Sequence, residues 1–204
     1  MSPRVDLRVA QLLNARLCHD LVGPVAAINN GVELLGDEDP DFVRDAVALV
    51  GDSARKAANR LQFFRFAYGL SRSAMAGPPP PQLAAALFEG SAILCEYDSA
   101  YEAEGFEWHR LACNLLLVGG EALPRGGRLT ITPGSAGPSL EGIGEGNGLS
   151  AETCAALALA VSTEALTART VGAYYTGVLA QALGCRLVVQ NLPGSFQVVA
   201  EPAE

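Results

Sequence analysis

The sequence predicts an α+β protein built from two parts, an N-terminal helical hairpin and a C-terminal α/β sandwich domain. Three observations support this prediction. Up to about residue 69, apolar residues recur at alternating steps of three and four, the spacing of helices with a long apolar seam. Residues 70–81 are first polar and then rich in proline, as expected of a connector. Beyond this connector, helical segments alternate with short strands.

The helices of the hairpin have recognisable ends. The first helix should span residues 6–35, with Gly36 closing it in a left-handed conformation. Asp39 followed by Pro40 is a good N-cap and first-turn pair for the second helix, which should end near Gly69. The seam residues are Cys18, Leu21, Val25, Ile28, Val32 and Leu35 in the first helix, and Val43, Val47, Val50, Ala54, Ala57, Leu61, Phe64 and Tyr68 in the second.

Two helices cannot enclose a bundle core by themselves. A hairpin with two matching seams buries them most economically against a second copy, in a four-helix bundle around a twofold axis. We therefore expect residues 1–70 to be a dimerisation domain, and the protein to be a homodimer.

The second domain should comprise residues 82–204. Its helices are predicted at about 82–90, 108–123, 150–161 and 167–184, and its strands at about 93–97, 128–132, 139–143, 186–189 and 196–199. Ser150 and Thr167 should cap the last two helices, and Pro193 and Gly194 should form the turn of a terminal hairpin. This mixture of helices and strands is typical of a layered α+β domain.

Composition excludes several classes of function. The net charge of −8 argues against direct binding of nucleic acid, which requires clustered basic residues. Five cysteines without close paired spacing disfavour a zinc site and fit reduced thiols. The longest apolar runs are too short to span a bilayer, and the N-terminus lacks an apolar signal core. We therefore expect a cytoplasmic protein that acts neither in a membrane nor on DNA.

Reactive groups concentrate in residues 16–24, Arg-Leu-Cys-His-Asp-Leu-Val-Gly-Pro. His19 follows a seam residue, so its ring should emerge at the flank of the bundle, where a neutral imidazole can attack phosphorus. Asp20 could hold the other ring nitrogen, fix the tautomer and stabilise the charge that develops on the ring. The alternative is an ordinary surface histidine. The second histidine, His109, is expected to be structural or solvated.

Residues around His19 have further expected roles. Arg16 lies one turn earlier on the same side and could contact phosphoryl oxygens or acidic groups of a partner. Gly23 removes bulk beside the nucleophile. Pro24 lacks an amide hydrogen and should bend the helix just beyond His19.

The sequence from His19 to Pro24, His-Asp-Leu-x-x-Pro, resembles the phosphoacceptor box of sensor histidine kinases. The second domain follows the kinase order as well. Residues 114–116 resemble the asparagine helix of the ATP-binding domain, and residues 123–132 resemble the loop and strand that follow it. The resemblance therefore extends over nearly the whole chain.

The departures from the kinase pattern affect ATP binding. If Asn114 is the first motif asparagine, the metal-binding asparagine is replaced by Val118 and the usual lysine by Glu121. Residues 145–148 lack the aspartate that reads adenine. Residues 169–175, with their bulky side chains, replace the glycine run that covers the phosphates. A kinase with these changes loses its anchors for ATP and magnesium.

A helical hairpin with an acceptor histidine, a degenerate ATPase-like domain and the pair Tyr174–Tyr175 together resemble the ChpT family of histidine phosphotransferases. That resemblance implies a dimer that receives a phosphoryl group on His19 from the receiver domain of a hybrid histidine kinase. It further implies transfer to response regulators of the CtrA type. No cofactor is expected in this chain, because magnesium would be held by the receiver. Residues that a docked receiver could contact are Arg16, Gly23, Asn30, Ser53 and Arg55.

Two rival functions stay open on the sequence alone. One is a histidine kinase that still autophosphorylates, which the changes at Val118 and Glu121 disfavour. The other is a dimeric scaffold that sequesters receiver domains without chemistry. For Asn30, Ser53 and Arg55, the alternative to partner binding is a solvated helix face.

Overall fold

A computed structural model describes residues 6–69, 77–98, 105–145 and 148–203. These residues confirm the predicted α+β class. The helices are α1 (Leu7–Leu34), α2 (Pro40–Tyr68), α3 (Pro80–Phe88), α4 (Phe106–Ala122), α5 (Ala151–Leu157) and α6 (Val171–Ala182). The strands are β1 (Ile93–Tyr97), β2 (Gly127–Gly134), β3 (Gly137–Ile143), β4 (Cys185–Leu192) and β5 (Ser195–Pro202). Most of the predicted connector, residues 70–76, lies outside the described residues.

The ends of the hairpin helices follow from capping. The Asp6 side chain accepts hydrogen bonds from the first turn of α1, and Asp39 does the same for α2, with Pro40 at its first position. The predicted left-handed closure at Gly36 is wrong. Leu35, the residue after α1, has the right-handed values φ −66° and ψ −15°, and its amide binds the Val32 carbonyl at 3.2 Å. A right-handed turn therefore ends α1 without any positive φ.

The two hairpin helices pack closely along a row of small residues. Gly31 of α1 is buried, and a Cβ at this position would lie 2.6 Å from the Val50 side chain. Ala46, Ser53 and Ala57 of α2 are buried as well. Large apolar side chains on the outer faces of the hairpin stay exposed: Val22, Val25, Val32, Leu34, Leu35, Phe42, Val47, Leu49 and Leu61. Closing the hairpin thus buries only part of its apolar surface.

The second domain is a sheet covered by helices. The strand order is β1-β2-β3-β5-β4, with β1 parallel to β2 and every other neighbouring pair antiparallel. Helix α4 packs on β2 and β3, α6 packs on β4, and α5 packs on α6. The predicted terminal hairpin turn is confirmed, with Gly194 at φ 76°. The arrangement is a two-layer sandwich.

Two helix boundaries in this domain differ from the prediction. Ser150 caps α5 as expected, but the helix ends at Leu157, and Leu159 has a φ of 55°. Helix α6 begins at Val171, later than predicted, because a short 3-10 helix at Thr163–Ala165 and a turn from Thr167 intervene. Thr167 therefore closes this turn and does not cap α6.

The hairpin and the sandwich share one hydrophobic core. The end of α2 contributes Phe63, Phe64, Phe66 and Ala67 to the cluster formed by α4 and the sheet. Asn114, which is 1% exposed, reinforces this junction, because its Nδ2 donates to the Ala67 carbonyl at 2.9 Å and to the Arg110 carbonyl at 2.8 Å. The Ala67 carbonyl belongs to the last turn of α2, where carbonyls have no partner within the helix. Asn114 thus joins the helical hairpin to the second domain.

Removing the amide of Asn114 should destabilise the junction. Asn114→Ala is expected to lower the free energy of unfolding by about 1–3 kcal/mol, because the buried Ala67 carbonyl loses its donor. Asn59→Ala is the matched control. Asn59 also joins α2 to a carbonyl, that of Ala86 at 3.0 Å, but it is only half-buried, so water can replace it. Denaturant unfolding should show a smaller loss for the control, and equal losses would contradict this role of Asn114.

The exposed apolar faces of the hairpin lead us to expect a dimer in solution. Light scattering should give twice the mass of the chain at micromolar concentration. Val25→Asp should dissociate the dimer, since Val25 is 47% exposed on the outer face of α1. Val178→Asp introduces the same change at an exposed valine of α6 and should leave the dimer intact. A monomeric wild-type protein would contradict the expectation.

Candidate functional site

The side chain of His19 is 89% exposed and lies within the 28-residue helix α1. The ring therefore projects from a rigid element, with space around it for a reacting group. Its Nδ1 lies 3.3 Å from Oδ1 of Asp20, whose side chain is 28% exposed. With the proton on Nδ1, this N–H donates a hydrogen bond to the carboxylate, and the Nε2 lone pair stays available for attack. The structure thus brings His19 and Asp20 together as the sequence predicted.

The surface beyond His19 is open. A Cβ added to Gly23 would have no atom within 4 Å, so nothing in the described protomer covers this side of α1. Helix α1 continues through Pro24 as far as Leu34. Asn30 is exposed farther along the same helix. Arg55 of α2 is also exposed, and it pairs with Asp52 at 2.6 Å. A partner could therefore reach these positions.

The structure contradicts the expected surface role of Arg16. Its side chain is only 8% exposed and pairs with Glu121 of α4. A Cβ at Gly172, in the first turn of α6, would lie 2.5 Å from Arg16 Nη1. The docked second domain therefore buries this arginine, which helical spacing had placed beside His19. In the described protomer it is not offered to a phosphoryl group or to a partner.

The expected contact of a partner with Ser53 is also contradicted. Ser53 is 5% exposed, in the same buried row of α2 as Ala46 and Ala57. Small side chains in this row let α1 and α2 approach each other closely, so Ser53 belongs to the hairpin interior. The sequence placed Ser53 beside the seam, but it did not fix which side of α2 faces α1.

The positions that bind nucleotide in kinases have structural roles in this protein. Asn114 holds the end of α2, as described above, and Val118 is 2% exposed in the core. Glu121 replaces a lysine of the kinase pattern and binds Arg16. In the sequence, Glu121 stands out only as a missing lysine. Its charge, opposite to that of an arginine in the first helix, was the signal that could have identified the pair.

An aromatic residue at the end of α2 completes this junction. Burial raises the pKa of Tyr68 to about 12, so its phenol stays neutral at physiological pH. The centroid of the Tyr68 ring lies 5.3 Å from that of the Tyr175 ring in α6. Desolvation also raises the pKa of the Glu121 carboxyl, and the guanidinium of Arg16 opposes that shift. At this junction the charge of Arg16 is buried, whereas the Glu121 carboxylate that balances it is half exposed.

His109 has a structural role, as expected. It is 7% exposed, and its Nδ1 lies 3.0 Å from the hydroxyl of Tyr97. Among the described residues, no group of three or more histidine, cysteine, aspartate and glutamate side chains could hold a metal ion. Within the same ranges, no helix has both the length and the apolar character needed to cross a membrane.

Comparisons with known proteins identify the family of this chain. A family described as the histidine phosphotransferase C-terminal domain matches residues 82–192. The protein phosphotransferase ChpT of Brucella abortus (strain 2308) is 38% identical over an alignment of 138 residues. The match covers 61% of this chain and 60% of that protein, so the chain spans less than two thirds of its length. A solved structure of a bacterial phosphotransferase matches with a TM-score of 0.76 and 28% identity, covering 98% of each chain. The chain therefore belongs to the ChpT-type family of histidine phosphotransferases.

Proposed function

We propose that this histidine phosphotransferase relays a phosphoryl group between receiver domains of a two-component phosphorelay through His19. The observation that carries the proposal is the geometry of His19, whose ring is 89% exposed while its Nδ1 lies 3.3 Å from the Asp20 carboxylate. An exposed imidazole with one nitrogen engaged and the other available is a nucleophile prepared for a bulky electrophile. A phosphorylated aspartate on another protein is such an electrophile.

The first transfer follows from this geometry. Nε2 of His19 attacks the phosphorus of the receiver's aspartyl phosphate. The bond from phosphorus to the carboxylate oxygen breaks, and its electron pair leaves with the carboxylate. The ring keeps its Nδ1 proton and gains positive charge, which the Asp20 carboxylate stabilises. In the second transfer, a carboxylate of another receiver attacks the phosphorus, and the electron pair of the N–P bond returns to Nε2.

The magnesium ion and the phosphate-binding groups for both transfers would come from the receiver, so this chain contributes a positioned nucleophile and a docking surface. Of the residues expected to contact a receiver, Gly23, Asn30 and Arg55 are exposed in the protomer. The resemblance to the ChpT family supports a hybrid kinase receiver as donor and CtrA-type regulators as acceptors, in the cytoplasm. The homodimer would present two such surfaces.

We further propose that the protein has no ATP-dependent kinase activity. The side chain of Arg16 lies against Gly172, in the first turn of α6, where a kinase would cover the phosphates with glycine. The Val118 side chain offers no oxygen to a metal ion. Where the kinase pattern has a lysine, Glu121 carries a negative charge that is balanced by Arg16. The junction between the hairpin and the sandwich therefore fills space that ATP would need, and the positive charge of Arg16 is already paired with Glu121.

Binding of nucleotides tests this part of the proposal. Calorimetric titration with ATP or ADP in the presence of magnesium should show no binding tighter than about 1 mM, the weak end of specific affinities. The reason is that Arg16 and Glu121 occupy the region that the nucleotide would need. A micromolar dissociation constant that depends on magnesium would restore the kinase interpretation.

Labelling by a phosphorylated receiver tests the roles of His19 and Asp20. His19→Ala should abolish acid-labile labelling and leave the fold intact, because an exposed residue contributes little to stability. Asp20→Asn should still be labelled, but more slowly by on the order of 10- to 1000-fold, as for loss of one charge-stabilising group. Asp45→Asn, at an exposed position of α2, is the matched control and should react at the wild-type rate.

Different outcomes separate the parts of this assignment. Undiminished labelling of His19→Ala would refute the phosphoacceptor. Wild-type rates for Asp20→Asn would remove only the role of the acid. Receiver binding to the wild-type protein without any label would favour the dimeric scaffold.

A further inference from the structure

Pro24 changes the hydrogen bonding of the turn that carries His19. In a regular α-helix, the carbonyl of residue 20 would accept a hydrogen bond from the amide of residue 24. Proline has no amide hydrogen, and its ring presses against that carbonyl. The carbonyl of Asp20 is therefore left without its partner within α1, although the helix continues to Leu34.

Arg60 supplies the missing donor from α2. Its Nη1 donates to the Asp20 carbonyl oxygen at 2.6 Å, in a half-buried position. A hydrogen bond from a charged group is shorter and stronger than one between neutral groups. Within the described ranges, no carboxylate forms an ion pair with Arg60. Its positive charge is thus held beside the phosphoacceptor turn without being neutralised.

We infer that Arg60 is a positioning residue for phosphoryl transfer. It binds the carbonyl that Pro24 leaves free, and so holds the turn with His19 and Asp20 in register with α2. It also keeps a cation next to the turn that receives a doubly negative phosphoryl group. This inference rests on the proposed function. It links Pro24 to Arg60, which lies 36 positions further along the chain.

The test measures the rate of transfer from a phosphorylated receiver as a function of receiver concentration. Arg60→Met removes the donor but keeps most of the aliphatic stem, and it should lower the maximal rate by on the order of 10- to 100-fold, the effect of a misplaced reacting group. The receiver concentration at half-maximal rate should stay unchanged. Arg60→Lys should restore part of the rate. Arg44→Met is the matched control, an exposed arginine of α2 paired with Asp41, and should behave as wild type.

Whether Arg60 acts through the carbonyl that Pro24 leaves free is tested by combining Arg60→Met with Pro24→Ala. Pro24→Ala restores the amide hydrogen that the Asp20 carbonyl lacks, so the loss caused by Arg60→Met should become smaller in this background. An equal loss in both backgrounds would overturn the inference, because Arg60 would then act independently of the freed carbonyl. Arg60→Met at the wild-type rate would overturn it too, while leaving the relay through His19 standing. Failure of the wild-type protein to accept label would instead refute the proposed function.

A spectroscopic measurement covers the case in which Arg60→Met does not fold. The carbonyl ¹³C resonance of Asp20 reports its hydrogen bond directly. We expect it to shift between wild type and Arg60→Lys, and to stay constant between wild type and Arg44→Met. An unchanged resonance in Arg60→Lys, together with a transfer rate below that of wild type, would overturn the inference, because Arg60 would then act without changing the hydrogen bond of this carbonyl.

Discussion

The ion pair between Arg16 and Glu121 determines how the two parts of this protein work together. It joins α1, which carries His19, to α4 of the sandwich, and only the glutamate side has much contact with solvent. Removing Glu121 would leave the buried guanidinium of Arg16 without a counter-charge, which is costly. The Asn114 amide and the aromatic rings at the end of α2 strengthen the same junction. Helix α1 is therefore anchored to the second domain one turn before His19.

The same junction supports our proposal that the chain relays a phosphoryl group without binding ATP. In the kinase pattern, the second domain must hold ATP and deliver it to the histidine. In this protein, the side chain of Arg16 lies against Gly172, and Glu121 balances its charge. The second domain thus holds the hairpin, while the side chain of His19 stays exposed.

The sequence correctly predicted features that depend on residues adjacent in the chain. It failed to predict contacts between elements that are distant in the chain. The cap at Asp39 and the pairing of His19 with Asp20 involve residues adjacent in the chain, and both predictions agree with the structure. Arg16 was expected beside His19 on the surface, but its side chain lies under α4 and α6 while His19 is exposed, and periodicity does not reveal which positions of α1 these helices cover. The role of Arg60 was missed altogether. Pro24 indicated that a carbonyl would need a donor, yet only the packing of α2 identifies it.

The proposed transfer through Nε2 of His19 is tested most sharply by finding which ring nitrogen carries the phosphoryl group. If Asp20 engages Nδ1 and the hairpin presents Nε2, a protein labelled by a phosphorylated receiver must carry its phosphate on Nε2 of His19. Two-dimensional ¹H–¹⁵N NMR of the ring, recorded on phosphorylated protein, distinguishes the two nitrogens. We expect phosphorylation at Nε2, with the proton retained on Nδ1. Phosphate on Nδ1, or on any residue other than His19, would contradict it.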